Sequence, residues 1–365
     1  MRSPVASATL PGMPFCNNCG NQMPDVARFC ARCGAGVPAA VIPPPRDPIA
    51  PTHHLTFHGT GGELLLLYIK TFLLSLVTLG IYSFWGRSRI RAFFAEHTRF
   101  DNVAFAYHGT GLELLIGFGK ALGVIALLGA QFGVFILAAG ETIGSILGGI
   151  VFAIGVLALA PMAMVGAWRY RLSRTSLRGI RFSFRGNLID FSKVYFPGLL
   201  LTIITFSIYA PFFWNNIRRY YTNNAYYGNA RFSYHGEGRD LLVPWILGLV
   251  LTPFTIGISM LWFQLQRFNY QCSRTRFQNA GFSPAIAFGD YFLLHLTNVL
   301  LAVFTLGIAT PWIMIRTVRF LFARLTLKGD LNLQAIAQEF IDSGATGEGL
   351  ESLLDNGATD LGFGM

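Results

Sequence analysis

Four copies of one short pattern constrain this chain more than any single motif in it. TLGIYSFW begins at Thr78, TFSIYAPF at Thr205, TIGISMLW at Thr255 and TLGIATPW at Thr305. The last three stand 50 residues apart, and the first lies 127 before the second, which is two periods plus 27. A second pattern keeps the same frame: LTFHGTGGELLLL (55–67), AYHGTGLELLIGF (106–118), FSFRGNLIDFSKV (182–194) and FSYHGEGRDLLVP (232–244). Its glycines, Gly59, Gly109, Gly186 and Gly236, are separated by 50, 77 and 50. A fixed period of this size marks a fold assembled from like units. Five units are predicted, starting near residues 55, 105, 182, 232 and 282, the second enlarged by 27 residues. The fifth begins with GFSPAIAFGD in place of the strand and glycine.

Each unit reads as a short aromatic strand, an acidic residue, an apolar helix, a Gly/Pro break and an Arg-rich amphipathic segment. Alternation puts Phe57, Tyr107, Phe184 and Tyr234 on one strand face, with glycine ending the strand in a turn. Naked strands cannot sit in lipid, so these are expected to pair as a small sheet at the membrane surface. Glu63, Glu113, Asp190, Asp240 and Asp290 recur where the apolar helix begins. An acid in the first turn complements the helix dipole; the functional alternative is a ring of carboxylates that binds cations or lipid amines. His58, His108 and His235 precede the motif glycine, but Arg185 fills that place before Gly186 and cannot ligate a cation. A positional preference for a polar, interface-seeking side chain is therefore favoured over a metal or proton relay.

With 53% hydrophobic and 13% charged residues and a mean hydropathy of +0.48, the chain lies outside soluble averages. Apolar segments cover 64–85, 113–139, 142–168, 191–214, 241–263 and 289–315, each long enough to cross a hydrocarbon core of about 30 Å. The expected fold class is an all-α polytopic membrane protein with short interfacial strands. The net charge of +10 gathers as arginine bursts beside apolar runs, which suits lipid phosphates rather than nucleic acid. Arginines follow the first, third, fourth, fifth and sixth segments, so six full crossings would put positive clusters on both faces, against the positive-inside rule. Either single-helix units are broken hairpins that dip in and return, with only the enlarged second unit crossing, or neighbouring units are inverted, as in many transporter folds. Six apolar helices, with the N-terminal domain and C-terminus cytoplasmic, are the working expectation.

Residues 1–14 are expected to be disordered and show no secretory apolar core. FCNNCGNQMPDVARFCARCGAG then places Cys16, Cys19, Cys30 and Cys33 as two CxxC knuckles, with Gly20 and Gly34 free to turn the backbone after each. Four thiolates at this spacing suit one structural zinc ion and leave no open catalytic position. Residues 15–36 resemble the zinc-ribbon family found at the N-termini of many bacterial membrane proteins. The span 37–54 is a Pro-rich linker, 55–327 the repeat-built membrane domain, and 328–365 a tail holding seven of the 18 acidic residues.

GGELLLLYIKTFLLSLVTLGIYSFWGRSRIRAFF followed by FAYHGTG, and the tail GATGEGLESLLDNGATDLGF, look like the bacterial inner-membrane YjgN family, a DUF898-type domain. The resemblance covers residues 55–365 and implies an integral inner-membrane protein; it supplies no catalytic residues. No hydrolase, metalloprotease, Walker or dinucleotide fingerprint is present, so no enzymatic activity is expected. Cys272, in QCSRTR, sits among arginines that would lower its pKa, although a packed, inert thiol is the simpler reading. The expected partners are membrane lipids and a cytoplasmic protein reached through the zinc ribbon or acidic tail, with no nucleic acid. A membrane scaffold or lipid- and envelope-related role is favoured; the alternative is a transporter or channel that uses the helix-end carboxylates.

Overall fold

The computed structural model describes residues 18–21, 32–35 and 51–338, which belong to two compact units, 1–50 and 51–365. The second unit corrects the expectation of an all-α bundle. Among the described residues, ten short strands close into one antiparallel barrel. They are β1 (Thr52–Phe57), β2 (Thr98–Phe100), β3 (Val103–Tyr107), β4 (Thr175–Leu177), β5 (Ile180–Phe184), β6 (Ala225–Tyr227), β7 (Ala230–Tyr234), β8 (Thr275–Phe277), β9 (Ala280–Pro284) and β10 (Leu325–Lys328). Closure is made by β1, which pairs Thr52 with Lys328 of β10 and, further along, Phe57 with Thr98 of β2. The physical reason is the edge: a strand of three to six residues gains little alone, and only a closed sheet leaves no row of unpaired backbone groups. The fifth unit keeps its strand, because β9 pairs with both β8 and β10 although the motif glycine is replaced.

Phe100, Leu177, Tyr227, Phe277 and Leu327, one from each short strand that returns from a helix, form the apolar core of the barrel. Ile336, from the chain just after β10, is buried in the same cluster. Its segment is tied to the strand turns: Asn332 N–H donates to Gln278 Oε1 at 2.9 Å, and Arg181 N–H donates to Gln338 Oε1 at 2.7 Å. The tail thus begins as a cap on the barrel; of its seven acidic residues, Asp330 is among the described residues and the other six are not.

Helices α1 (Gly61–Val77), α2 (Ser83–His97), α3 (Gly111–Ser173), α4 (Leu188–Ile204), α5 (Ala210–Asn223), α6 (Leu242–Thr255), α7 (Ile258–Ser273), α8 (Phe288–Phe304) and α9 (Thr310–Ala323) leave the barrel in pairs. Every pair joins an outgoing strand to the next, antiparallel, returning one, so all five emerge at the same end of the barrel. The opposite end carries tight turns such as Asp101–Asn102, with both φ angles positive. α3 is itself a pair: Gly140 (φ 80°, ψ 172°) breaks it, and Gly144 and Gly148 let its second leg pack against Phe135 and Phe132 of the first. Inversion of neighbouring units has no counterpart in this connectivity.

The TLGI-type pattern forms the tip of the four short hairpins. Thr78, Thr205, Thr255 and Thr305 each donate a side-chain hydrogen bond of 2.6–2.8 Å to the carbonyl four residues back. The same hydroxyl accepts an N–H from four residues ahead at 2.9–3.1 Å, so one side chain staples both helices. The next residue is left-handed: Leu79, Phe206, Ile256 and Leu306 have φ of 48–51°. Gly80 N–H then closes on Ser75 O at 2.7 Å, a Schellman-type ending. These four apolar tip residues are 88–95% exposed.

Candidate functional site

Three places could bear function: the bases of the hairpins, an open cavity where the hairpins meet the barrel, and the cysteine knuckles. At the bases, Thr60 with Glu63 and Thr110 with Glu113 form reciprocal capping boxes, and Asn187 caps Asp190 N–H. Each carboxylate also meets a group of its own unit. Glu113 receives Arg174 Nη2 at 2.7 Å, Arg174 Nε at 3.2 Å and the Tyr170 hydroxyl at 2.9 Å. Asp290 pairs with Arg324 at 3.0 Å, Asp240 takes the Tyr270 hydroxyl at 2.6 Å with Arg274 at 3.8 Å, and Glu63 faces His97 at 3.7 Å. The partner stands 34 residues after the acid, or 61 where the insertion adds 27. Unit three has Asn224 at that position, and Asp190 turns to Lys193 at 3.0 Å, which with Asn187 holds its carboxyl below the usual carboxylate range.

The residue before the motif glycine is placed by its backbone. His58, His108, Arg185 and His235 N–H donate to the carbonyls of His97, Arg174, Asn224 and Arg274 at 2.7–3.1 Å, and Ala285 does the same to Arg324 at 2.9 Å. Their side chains diverge: His58 meets Thr56, His108 meets Ser176 and Arg185 lies over the Tyr226 ring. The glycines carry the joints between units. A Cβ at Gly59, Gly109, Gly186 or Gly236 would collide with the aromatic ring two residues earlier. Arg169, Arg219 and Arg319 reach the carbonyls of Gly186, Gly236 and Gly59 at 2.6–2.7 Å, so the last bond closes a circle from the fifth unit to the first.

Inside that circle lies a cavity of about 500 Å³. Its wall includes Trp168, Arg218, Tyr221, Arg267, Gln271, Cys272 and Phe282, and none of the five helix-start carboxylates. Arg218 and Arg267 were not singled out as a pair from sequence, where they lie among many interfacial arginines. A usable signal existed for Arg267, which in the repeat frame replaces Ile90, Ala167, Ile217 and Thr317; Arg218 replaces Trp168, Phe268 and Val318 but has Arg91 as its counterpart in the first unit. Burial pushes the Cys272 thiol up to about 11, outweighing the opposing pull of Arg218, so its arginine neighbourhood does not activate it.

In the N-terminal compact unit, residues 1–50, the described residues hold Cys19 and Cys33 in turns, each followed by a glycine of positive φ, Gly20 at 69° and Gly34 at 71°. Asn18 Nδ2 lies 3.9 Å from Cys33 Sγ, a contact from the first turn to the second. Among the described residues no three potential metal ligands come together. Cys16 and Cys30 lie outside the described residues.

Comparison with known proteins follows this division. Residues 15–37 match the zinc-ribbon domain family. The inner membrane protein YjgN of Salmonella typhimurium is 31% identical over 133 residues, 36% of this chain and 31% of that protein. YjgN of Escherichia coli K12 is 27% identical over 154 residues, 42% of this chain and 36% of that protein. The match thus spans about a third of the length of these relatives. No solved structure matches the chain. Residues 52–257 and 242–353 match the family described as bacterial protein of unknown function, DUF898, and the chain belongs to that family.

Proposed function

We propose that this chain is a non-enzymatic scaffold of the inner membrane, whose helical hairpins are driven into the bilayer from the cytoplasmic side while the barrel stays in water. The observation that carries the reading is the set of tips. Leu79, Phe206, Ile256 and Leu306 project almost fully exposed from left-handed backbone, and the threonine staple satisfies polar backbone groups that lipid could not. The short first legs, 17 residues in α1, α4 and α8, reach about 25 Å, less than a hydrocarbon core. The two legs of α3 on either side of Gly140 are 29 and 33 residues within Gly111–Ser173, long enough to cross. Among the described residues α3 is also the one helix long and apolar enough to cross a membrane. Arginines of all five return legs then share one face, as the positive-inside rule asks.

On this reading the zinc ribbon, holding one zinc through Cys16, Cys19, Cys30 and Cys33, and the acidic tail are the surfaces offered to a soluble partner. A transport role through helix-end carboxylates would want those groups along a shared passage, and each is engaged at its own hairpin base instead. A photoreactive benzoylphenylalanine at position 206 or 306 is expected to crosslink to phospholipid acyl chains, whereas one at 278, on a barrel turn, is not. Equal crosslinking at 206 and 278 would sink the proposal. For the ribbon, one zinc per chain is expected by elemental analysis, falling to near none in Cys33→Ser; zinc-free protein with two disulfides would refute it.

A further inference from the structure

The cavity above the barrel holds positive charge that the rest of the fold does not balance. Arg218 and Arg267 both line it, and no acidic residue does. Among the described residues neither guanidinium has a carboxylate partner, and Arg218 Nε is buried without a hydrogen bond. The two charges oppose each other: burial and then Arg218 depress the pKa of Arg267, and burial depresses that of Arg218. Two nearby groups could in principle supply an anion, and neither does. The Tyr234 hydroxyl donates to Asn215 Oδ1 at 2.6 Å and is held protonated by burial, and the Cys272 thiol is raised to about 11. Arginine stays charged at any ordinary pH, so the cost of burial is not relieved by losing a proton.

The other arginines of these helices show what structural use looks like here. Arg219, the very next residue, is spent on Gly236 O, and Arg274 lies by Asp240. Arg267 instead has its guanidinium carbon 4.9 Å over the Trp214 ring, a cation–π contact that leaves its charge without an anion. Aromatic groups, Phe232, Phe282 and Tyr291 among them, and the amide side chains of Gln264 and Gln271 complete the wall.

We infer that this cavity is a binding site for a phosphate-type oxyanion bearing an apolar substituent, with the oxyanion held by Arg218 and Arg267 and the substituent against the aromatic wall. Planar guanidiniums match phosphate oxygens two at a time. A volume of about 500 Å³ exceeds what a bare phosphate needs and suits a small organic phosphate or a lipid headgroup with the start of its chains. The inference concerns the chamber alone and stands whether or not the hairpin tips enter lipid.

The test uses the full chain, purified in detergent and in phosphatidylcholine nanodiscs. One arm titrates inorganic phosphate by calorimetry; the other follows phosphatidic acid retained in native mass spectra. A free-phosphate site answers in the first arm, a lipid site in the second only. In the responding arm, Arg218→Gln with Arg267→Gln is expected to weaken binding by about tenfold or more, Arg218→Lys, which keeps the charge and loses the planar fork, to weaken it less than the double variant, and the exposed Arg239→Gln to change nothing. Because the double variant could fold poorly, the wild-type melting temperature is measured as well; it should rise with the responding ligand and not with chloride of equal ionic strength. Binding in neither arm, no rise in melting temperature, or a folded double variant that binds like wild type would each overturn the inference.

Discussion

The hairpin bases offer a graded experiment within one molecule, because the same acid–base pair occurs at different burial and geometry. In the second unit Arg174 grips Glu113 with two hydrogen bonds, 2.7 and 3.2 Å, and the side chains are only 16% and 33% exposed. Tyr170, fully buried, adds its hydroxyl to the same carboxylate. In the fourth unit Arg274 stands 3.8 Å from Asp240, with 52% and 38% exposure. Hydrogen bonds between charged groups in partly buried settings contribute about 1.5–3 kcal/mol, whereas exposed pairs contribute about 0–1. Arg174→Gln should therefore cost about 2 kcal/mol, and Arg274→Gln about 0.5 or less. Arg324→Gln, whose pair is 3.0 Å apart but 55% exposed on the acid side, should fall between them.

The assay is thermal unfolding in detergent, where 2 kcal/mol corresponds to a shift of about 3 °C for a domain of this size. A double-mutant cycle with Glu113→Gln isolates the pair from the cap, since the amide still accepts Thr110 N–H. Coupling of about 2 kcal/mol is expected for Arg174 with Glu113 and under about 0.5 for Arg274 with Asp240. Equal losses for Arg174→Gln and Arg274→Gln would refute the argument, because distance and burial would then not decide the strength of these contacts.

Two further outcomes follow from buried polar groups. Asn215, with no exposed surface, donates to Gly236 O at 3.0 Å and accepts from Tyr234 at 2.6 Å, so Asn215→Ala should destabilise by about 2–3 kcal/mol, read as a fall in melting temperature. The Cys272 thiol is displaced from 9.0 to about 11, so at pH 8 it should be about a hundredfold less ionised than an ordinary thiol, and alkylation should climb only toward pH 11. Because the folded thiol ionises at the higher pH, its contribution to stability is complete below pH 9 and is lost as the pH rises through about 11.

The repeating frame made much of this architecture readable in sequence. Thr78 and its three counterparts stood at fixed spacing, and T-x-x-E at Thr60–Glu63 and Thr110–Glu113 announces a capped helix start. The barrel was not readable, for a physical reason: β2, β4, β6 and β8 have three residues each, too few to show a period, and their stability comes from partners on both sides. Apolar content misled in the same way. It identified segments such as 191–214 correctly as hydrophobic, but the reversal of direction at 205–209 rests on a left-handed Phe206 and Ser207, residues that carry no glycine to advertise the turn. The 34-residue interval between acid and partner was present in the letters, yet only the folded hairpin shows why that interval matters.

A ring of like units divides its residues into two kinds. Whatever closes the ring must be supplied at every joint: Arg169, Arg219 and Arg319 supply it on the carbonyls of Gly186, Gly236 and Gly59, Ser88 on that of Gly109, and Asn269 on Ile286 O at 3.2 Å where the glycine is absent. A joint that failed in one unit would open the circle and return two strand edges to solvent, so these positions are held by the architecture itself. Residues that differ between units at equivalent places escape that demand. Arg267 sits where the frame elsewhere has Ile90, Ala167, Ile217 and Thr317, and the long α3 hairpin occurs where four units have short ones. An internal charge at one such position costs desolvation and earns no joint in return. The departures from the repeat, rather than the repeat, are therefore where a binding role for this fold has room to reside, and in the cavity wall Arg267 is a cationic one.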